Sequence, residues 1–186
     1  MNAKPIIAAI FASALLTGLT AAAGPPVVVE PVKANADRNW LDELRGSRAR
    51  AGAIPEAEAR KLAAEMAASL QAELDNALRA QGFEVTAGGP GAVRLVATIE
   101  DLRVNAPESH AAGVRTYTRE AGRATLRAQA TDSSGAVLFK TEERAEAGDP
   151  GRRLQRASAV TNRFWFDALF RSWAAHVARE LRTRSP

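Results

Sequence analysis

The sequence contains no cysteine among its 186 residues. A chain without thiols forms no disulfide, holds no thiolate-bound metal and accepts no lipid on a cysteine at a processed N-terminus. Aromatic residues make up only 5% of the chain, and histidine occurs twice, as His110 and His176. Metal centres need clustered His, Cys, Asp or Glu, so we expect no metal site, and we expect burial alone to stabilise the fold.

The first 23 residues have the order of segments found in secretory signal peptides. A short basic start that ends at Lys4 precedes an apolar run at 6–16, and the small residues 21–23 follow. The run is shorter than the ~20 apolar residues that span a bilayer, which disfavours the alternative of a retained membrane anchor. We predict cleavage after Ala23, export to the periplasm without lipidation, and a mature single domain over residues 24–186.

Two amphipathic helices are predicted from apolar residues spaced three or four apart. The first covers residues 55–81, where Pro55 suits the first turn and Gly82 provides the left-handed residue that ends a helix. The second covers residues 162–182 and gathers three of the six phenylalanines and two of the three tryptophans, which we expect in the core. Its apolar stripe consists of Phe166, Leu169, Phe170, Trp173, Val177 and Leu181.

Strands are indicated where apolar and polar residues alternate, because alternation places one face on a core and the other in water. Residues 93–102 and 122–131 alternate in this way, and a turn at 132–135 joins the second of them to a partner strand at 137–143. Together they predict an antiparallel sheet that contains a hairpin. Residues 145–156 are polar and interrupted by proline and glycine, so we expect them to be exposed and mobile.

Two shorter β segments are expected at 27–30 and 83–85. Pro31 indicates that the first of them lies at a sheet edge, and one helical turn is expected near Trp40 in the connection that follows. The order β-α-β-β-β-α predicts an α+β two-layer sandwich. In this fold a mainly antiparallel sheet of about four strands carries both amphipathic helices on one face.

The polar face of the predicted sheet carries arginines, and a second basic group follows near residue 152. The possible interaction surface consists of Arg94, Arg123, Arg127, Arg152 and Arg153. Because acidic residues are interspersed and the net charge is only +4, nucleic acid is not expected as a partner. We expect an unknown cell-envelope protein or a peptidoglycan component instead, and no stable membrane span after signal cleavage.

No arrangement typical of an enzyme or a cofactor site emerges from the sequence. Glu100 and Asp101 are neighbours on a strand, where alternation should turn them to opposite faces. The Glu-Ser-His triplet at 108–110 lies in a loop, but catalytic triads are defined by geometry and not by adjacency. His176 is expected to be a half-buried structural residue. We therefore expect a non-catalytic binding domain without a cofactor; the alternative is a small-ligand-binding protein or hydrolase that uses the loop 103–121.

Five segments in a fixed order carry a resemblance to a known family. They are VVVEPV at 27–32, the first helix with QGFEV after it, GPGAVRLVATIEDL at 89–102, the hairpin at 122–149 and the closing helix. In this order they resemble the domain-of-unknown-function 3313 family of Gram-negative envelope proteins. The resemblance implies a small periplasmic or outer-membrane lipoprotein with no catalytic residues to transfer. This chain departs from that pattern because it lacks the lipid-bearing cysteine, which favours an untethered periplasmic form.

Overall fold

The structure, a computed structural model, describes residues 24–46, 56–105, 117–151 and 153–185. The predicted signal peptide, the central part of the loop 103–121 and Arg152 lie outside the described residues, so the expectations about them remain predictions. Across the described ranges, no helix has the length and apolar character needed to cross a membrane.

Two short strands, β1 (Val27–Val29) and β2 (Lys33–Ala36), follow each other along one edge of the main sheet. Both pair in parallel with the same long strand further along the chain. Pro31 separates them because a residue without an amide hydrogen cannot continue the ladder. The predicted edge position is confirmed, and the single strand expected at 27–30 is extended by a second.

Helix α1 (Arg38–Gly46) follows directly and is longer than the single turn expected there. Asp37 caps it, because its Oδ1 accepts hydrogen bonds from the amides of Asn39 at 2.8 Å and Trp40 at 3.2 Å. Trp40 is buried in the core, so packing stabilises a helix that its own residues favour only weakly.

Helix α2 (Glu56–Ala80) confirms the helix predicted at 55–81. Its leucines 70, 74 and 78 are fully buried. Gly82 has φ 84°, and the Phe83 amide donates to the Leu78 carbonyl at 3.1 Å, which is the predicted left-handed cap. The strand expected at 83–85 is reduced to one parallel bridge between Val85 and Val27. In this bridge the Val27 amide donates to the Glu84 carbonyl, and the Thr86 amide donates to the Val27 carbonyl.

Three long strands form the antiparallel part of the sheet: β3 (Val93–Val104), β5 (Glu120–Thr131) and β6 (Val137–Gly148). The strand positions run β1/β2, β3, β5, β6 across the sheet. The strand β4 (Tyr117–Thr118), which comes between β3 and β5 in the chain, is not part of this sheet. It pairs with β7 (Gln155–Arg156) in a separate two-stranded ribbon. The expectation that 145–156 is mobile is therefore wrong at both ends, since residues 145–148 extend β6 and 155–156 form β7.

A bulge in β3 changes which residues share a face. The register between β3 and β5 shifts between Glu100 and Arg103, and Asp101 has φ 51°. Ile99 and Leu102 both lie in the core, so Glu100 and Asp101 both lie off it. The prediction that these two carboxylates lie on opposite faces is wrong, because the bulge adds a residue to β3 and interrupts the alternation of its side chains.

Helix α3 (Ala159–Arg184) begins three residues before the predicted start. Ser158 caps it by accepting a hydrogen bond from the Thr161 amide at 3.1 Å. Phe170 packs between Phe166 and Trp173, with ring centroids 5.8 Å from each. The predicted stripe is buried apart from Leu169, which is half-buried.

Helices α2 and α3 lie side by side on one face of the main sheet and share a single hydrophobic core with it. The two helices are joined by a hydrogen bond from Ser69 to Asp167, 2.6 Å long, and by an ion pair between Arg171 and Glu73 at 3.5 Å. The α+β two-layer sandwich with a mainly antiparallel sheet is confirmed. The face of the sheet that the helices leave uncovered carries the polar strand residues.

Candidate functional site

The uncovered side of the main sheet, called the sheet face below, brings together three of the predicted interaction residues. Arg94 lies on β3, and Arg123 and Arg127 lie on β5. Their side chains are 40% to 65% exposed, as the alternation predicted. The structure thus brings these three arginines to one surface.

Each of these arginines is held by a carboxylate from another element. Arg94 Nη1 lies 2.7 Å from Oε1 of Glu30, which follows β1. Arg127 lies between two carboxylates, 2.9 Å from Glu100 on β3 and 3.0 Å from Glu142 on β6. The ion pairs therefore run across the strands and neutralise the positive charge where it is exposed.

The third ion pair ties the sheet face to α1. Arg123 Nη2 lies 3.2 Å from Oδ2 of Asp37, the residue that caps that helix. Partial burial acts to raise the pKa of the Asp37 carboxyl, but hydrogen bonds from the Trp40 amide, the Arg123 guanidinium and the Asn39 amide outweigh it. The net result is a pKa below the ordinary value. Asp37 is therefore ionised at neutral pH and occupied on both oxygens.

A groove of about 1520 Å³ runs along the outer edge of β2. Small side chains of α2 form one wall, among them Ala64 and Ala68, and α1 closes one end. Gln71 reaches from α2 to the edge, where its Oε1 accepts a hydrogen bond from the Val32 amide at 3.0 Å. A side chain thus takes the place of a neighbouring strand at this point. The groove is wide and open, and alanine makes up much of its α2 wall.

A second surface lies where the β4–β7 ribbon meets the start of α3. Gln155 faces α3, since its Oε1 accepts a hydrogen bond from Nε1 of Trp165. Its neighbours Leu154 and Arg156 therefore turn to the outer side of the ribbon, together with Tyr117, which pairs with Arg156. The ribbon presents an apolar and a basic group side by side to solvent.

The first two turns of α3 extend this surface with two more apolar side chains. Val160 and Phe164 are four residues apart and are 80% and 62% exposed, while Tyr117 and Leu154 are 56% and 67% exposed. Among the described residues six large apolar side chains are exposed, and these are four of them. A concentration of exposed apolar groups in two adjoining elements is typical of an interaction site.

Four arginines lie in the ribbon and the first turns of α3 or close to them in the chain. Arg119, Arg153 and Arg156 are exposed, and within the described part of the chain none of them has a carboxylate partner. Arg163 lies 3.8 Å from Asp167, a long contact. We call this the end surface: Tyr117, Leu154, Val160, Phe164, Arg119, Arg153, Arg156 and Arg163. It includes one of the predicted interaction residues, Arg153, but not Arg94, Arg123 or Arg127.

The apolar part of the end surface was missed in the sequence because Phe164 was counted with the core aromatics of the last helix. The position of Phe164 around the helix axis could have shown that its side chain is exposed. Phe164 lies off the stripe that begins at Phe166, and Val160 is one turn before it on the same side. Placing the helix start at Ser158, a good N-cap, would have included Val160 and revealed the pair.

The remaining titratable groups form no cluster of metal ligands within the described ranges. His176 is half-exposed on α3, with Nδ1 2.6 Å from Oε1 of Glu143 on β6 and Nε2 3.8 Å from Glu180. Oε1 of Glu143 accepts no hydrogen bond within the described residues, so the approach is a close contact between the two side chains. This links α3 to the sheet, as expected of a structural histidine. The triplet at 108–110 lies outside the described residues, and a hydrolase function based on it stays a prediction.

Comparison with known proteins gives only distant similarities. No family model matches the sequence, and no curated protein matches it. Among solved structures, a minor lipoprotein from Acinetobacter baumannii has a TM-score of 0.41 and 16% identity, covering 64% of this chain and 87% of that one. PelC from Paraburkholderia phytofirmans, solved as a dodecamer, has a TM-score of 0.44 and 16% identity, covering 86% of this chain and 87% of that one. No function is transferred from similarities of this size.

Proposed function

We propose that the protein is a non-catalytic periplasmic domain that binds another cell-envelope protein through its end surface. The observation that carries the proposal is the concentration of exposed apolar groups at the start of α3 and on the ribbon, in segments that also carry exposed arginines. Burying exposed aromatic and aliphatic side chains supplies binding energy, and arginine is enriched at the centres of protein interfaces.

The charge of the end surface defines the partner. Three arginines without a carboxylate partner within the described residues favour a binding segment that places Asp or Glu beside an apolar group. The sheet face is the weaker candidate because its three arginines already have carboxylate partners. A partner that bound there would have to displace those ion pairs before it gained its own.

Export forms part of the same proposal. A signal peptide cleaved after Ala23 would leave Gly24 as the mature N-terminus, in a chain that has no cysteine for lipidation. Mass spectrometry of the protein isolated from a periplasmic fraction tests this, and full-length protein in the membrane pellet would contradict it. Membership of the domain-of-unknown-function 3313 proteins is likewise proposed, on the order of the five segments.

Site-specific photo-crosslinking in cells tests the binding surface. A photoreactive residue replaces Phe164 in one variant and Val96 in a matched control, because both are large exposed apolar residues but Val96 lies on the sheet face. We expect a defined crosslinked protein from position 164 and none from position 96. Crosslinks of equal yield at both positions, or at neither, would contradict the proposal.

The nature of the partner is tested with the purified protein. Co-sedimentation with purified peptidoglycan and with vesicles containing anionic lipid is compared for the wild type and for Phe164→Ser, with Val96→Ser as the control. We expect no sedimentation with either material. Retention on peptidoglycan that Phe164→Ser abolishes would replace the protein partner by a peptidoglycan component, and retention on vesicles would replace it by a lipid surface.

A further inference from the structure

The second long edge of the main sheet is β6, opposite β1 and β2. Within the described residues β6 pairs only with β5, and it runs for 12 residues. The outer side of an edge strand presents amide and carbonyl groups at intervals, which can pair with another strand. Natural proteins place charges on such edges, and the order of those charges decides which strands can approach.

The charges of β6 alternate in sign along the sheet face. Lys140, Glu142, Arg144 and Glu146 are all exposed and lie two residues apart, so they project from the same side of the strand. On the other side β6 packs against α3, with Phe139 and Ala147 buried. The exposed row therefore reads plus, minus, plus, minus in chain order. Glu142 already contacts Arg127 of its own chain at 3.0 Å, and Glu146 also has a contact, so pairs formed across the edge share these carboxylates and do not displace the existing contacts.

We infer that β6 pairs with β6 of a second copy of this chain, antiparallel and around a two-fold axis at Glu143. In this register Lys140 lies opposite Glu146 of the second copy, and Glu142 lies opposite Arg144 of the second copy. The two-fold axis repeats both contacts, so four opposite-charge pairs form across the new ladder. The two sheets then continue into one. The row adjoins the end surface at Arg119, which lines a small pocket together with Glu146.

The charge order selects this register from its neighbours. Centring the pair on Glu142 would place Lys140 opposite Arg144, and centring it on Arg144 would place Glu142 opposite Glu146. Both alternatives set like charges opposite each other, which destabilises antiparallel pairs. A shift by one residue would turn the apolar side of one strand to solvent. Centring the pair on Thr141 or Ala145 would form only two opposite-charge pairs. The register centred on Glu143 is the one in which all four charged residues of the row meet an opposite charge.

One contact in this register is unfavourable, because Glu143 meets its own copy on the helix side. Nδ1 of His176 lies 2.6 Å from Oε1 of Glu143 in each chain, so an imidazole stands beside each of the two carboxylates. The charge pairs on the sheet face are exposed and therefore screened by salt. The resulting dimer is expected to be weak and to dissociate as the ionic strength rises.

The test is a mixing experiment with two charge-reversed variants, Lys140→Glu and Glu146→Lys. Each variant on its own sets like charges opposite at two of the four pairs, so we expect its dimer dissociation constant to rise at least about tenfold. In a 1:1 mixture one chain carries acidic residues at both positions and the other carries basic residues. The heterodimer therefore regains all four favourable pairs. Lys33→Glu, an exposed reversal of the same sign on the opposite edge, is the matched control.

Sedimentation velocity measures association, and circular dichroism verifies that each variant is folded. We expect dimers for the wild type and for Lys33→Glu, monomers for each single variant, and dimers again in the mixture. A monomeric wild type at the highest soluble concentration would overturn the inference. It would indicate that the charges of β6 prevent pairing with another strand. Undiminished association of the single variants, or a mixture that stays monomeric, would overturn it as well. If either variant is unfolded, Glu142→Arg and Arg144→Glu form a second complementary pair for the same experiment.

Discussion

The two arginine-bearing surfaces differ in what surrounds the guanidinium groups. On the sheet face, Arg94, Arg123 and Arg127 each contact a carboxylate from another element at 2.7 to 3.2 Å. At the end surface, Arg119, Arg153 and Arg156 lie beside exposed apolar side chains and have no carboxylate partner within the described residues. The sheet-face arginines therefore mainly join the strands to one another and to α1, whereas the end-surface arginines remain available to a partner. Substitutions should therefore affect stability on the sheet face and binding at the end surface.

The largest loss of stability is expected for Asp37→Ala. This change removes the cap of α1 and leaves Arg123 without its partner, at a position only 8% exposed. We expect the free energy of unfolding to fall by about 2 kcal/mol, as measured by urea denaturation. Arg156→Ala at the end surface is the control and should change it by less than about 0.5 kcal/mol. Equal losses in the two variants would remove the distinction between the surfaces.

A smaller loss, dependent on pH, is expected for Asp37→Asn, since asparagine also caps helices but carries no charge. The pKa of Asp37 is lowered in the folded protein. Its ionised form therefore contributes stability above the unfolded-state pKa of about 3.9, and this contribution is lost as the pH falls through the lower folded-state value. Unfolding measured from pH 7 downward should show the wild type and the variant converging in acid. A constant difference across that range would show that the charge of Asp37 is unimportant.

Arg127→Ala should reduce the free energy of unfolding by no more than about 1 kcal/mol, because both of its ion pairs are exposed to solvent. The loss should shrink at high salt, which screens exposed charges in the wild type. Denaturation of the wild type and the variant at two salt concentrations measures this. A loss that grows with salt, or one that exceeds the loss for Asp37→Ala, would contradict the order proposed for the sheet face.

The smallest effect on stability is expected for the double variant Arg153→Glu with Arg156→Glu, within about 0.5 kcal/mol of the wild type. Its effect on partner binding should be large, because the variant presents negative charge to an acidic partner segment. The yield of crosslinking from position 164 measures the loss, with Arg94→Glu as the matched reversal on the sheet face. If Arg94→Glu reduced the yield more than the double variant did, the roles of the two surfaces would be exchanged.

Local residue patterns were sufficient where a single element buries its own apolar face. The stripe and the terminal glycine of α2 predicted its range to within one residue at each end, and the turn at 132–135 predicted the hairpin of β5 and β6. Longer-range features were not predictable in the same way. The nine-residue α1 depends on the burial of Trp40, and the parallel pairing of β1 and β2 depends on a strand more than 60 residues away.

The candidate surfaces were also predictable only where residues of a single strand determine them. Alternation predicted that Arg94, Arg123 and Arg127 share an exposed face. It did not predict which carboxylates reach them, since each arginine is paired with a residue of a different segment. These carboxylates are Glu30, Asp37, Glu100 and Glu142. Likewise, the ribbon that brings Tyr117 beside Arg156 joins segments nearly 40 residues apart.

The absence of thiol chemistry, the two amphipathic helices, the alternating strands and therefore the two-layer fold were predictable from the sequence. They follow from residue identity and from spacings of two, or of three to four, along one element. The tertiary structure was needed to show which arginines are neutralised, which apolar side chains are exposed and how the charges of β6 are arranged at the sheet edge. Those properties depend on distances between residues far apart in the chain, and the strength of a charge or an apolar group depends on what surrounds it.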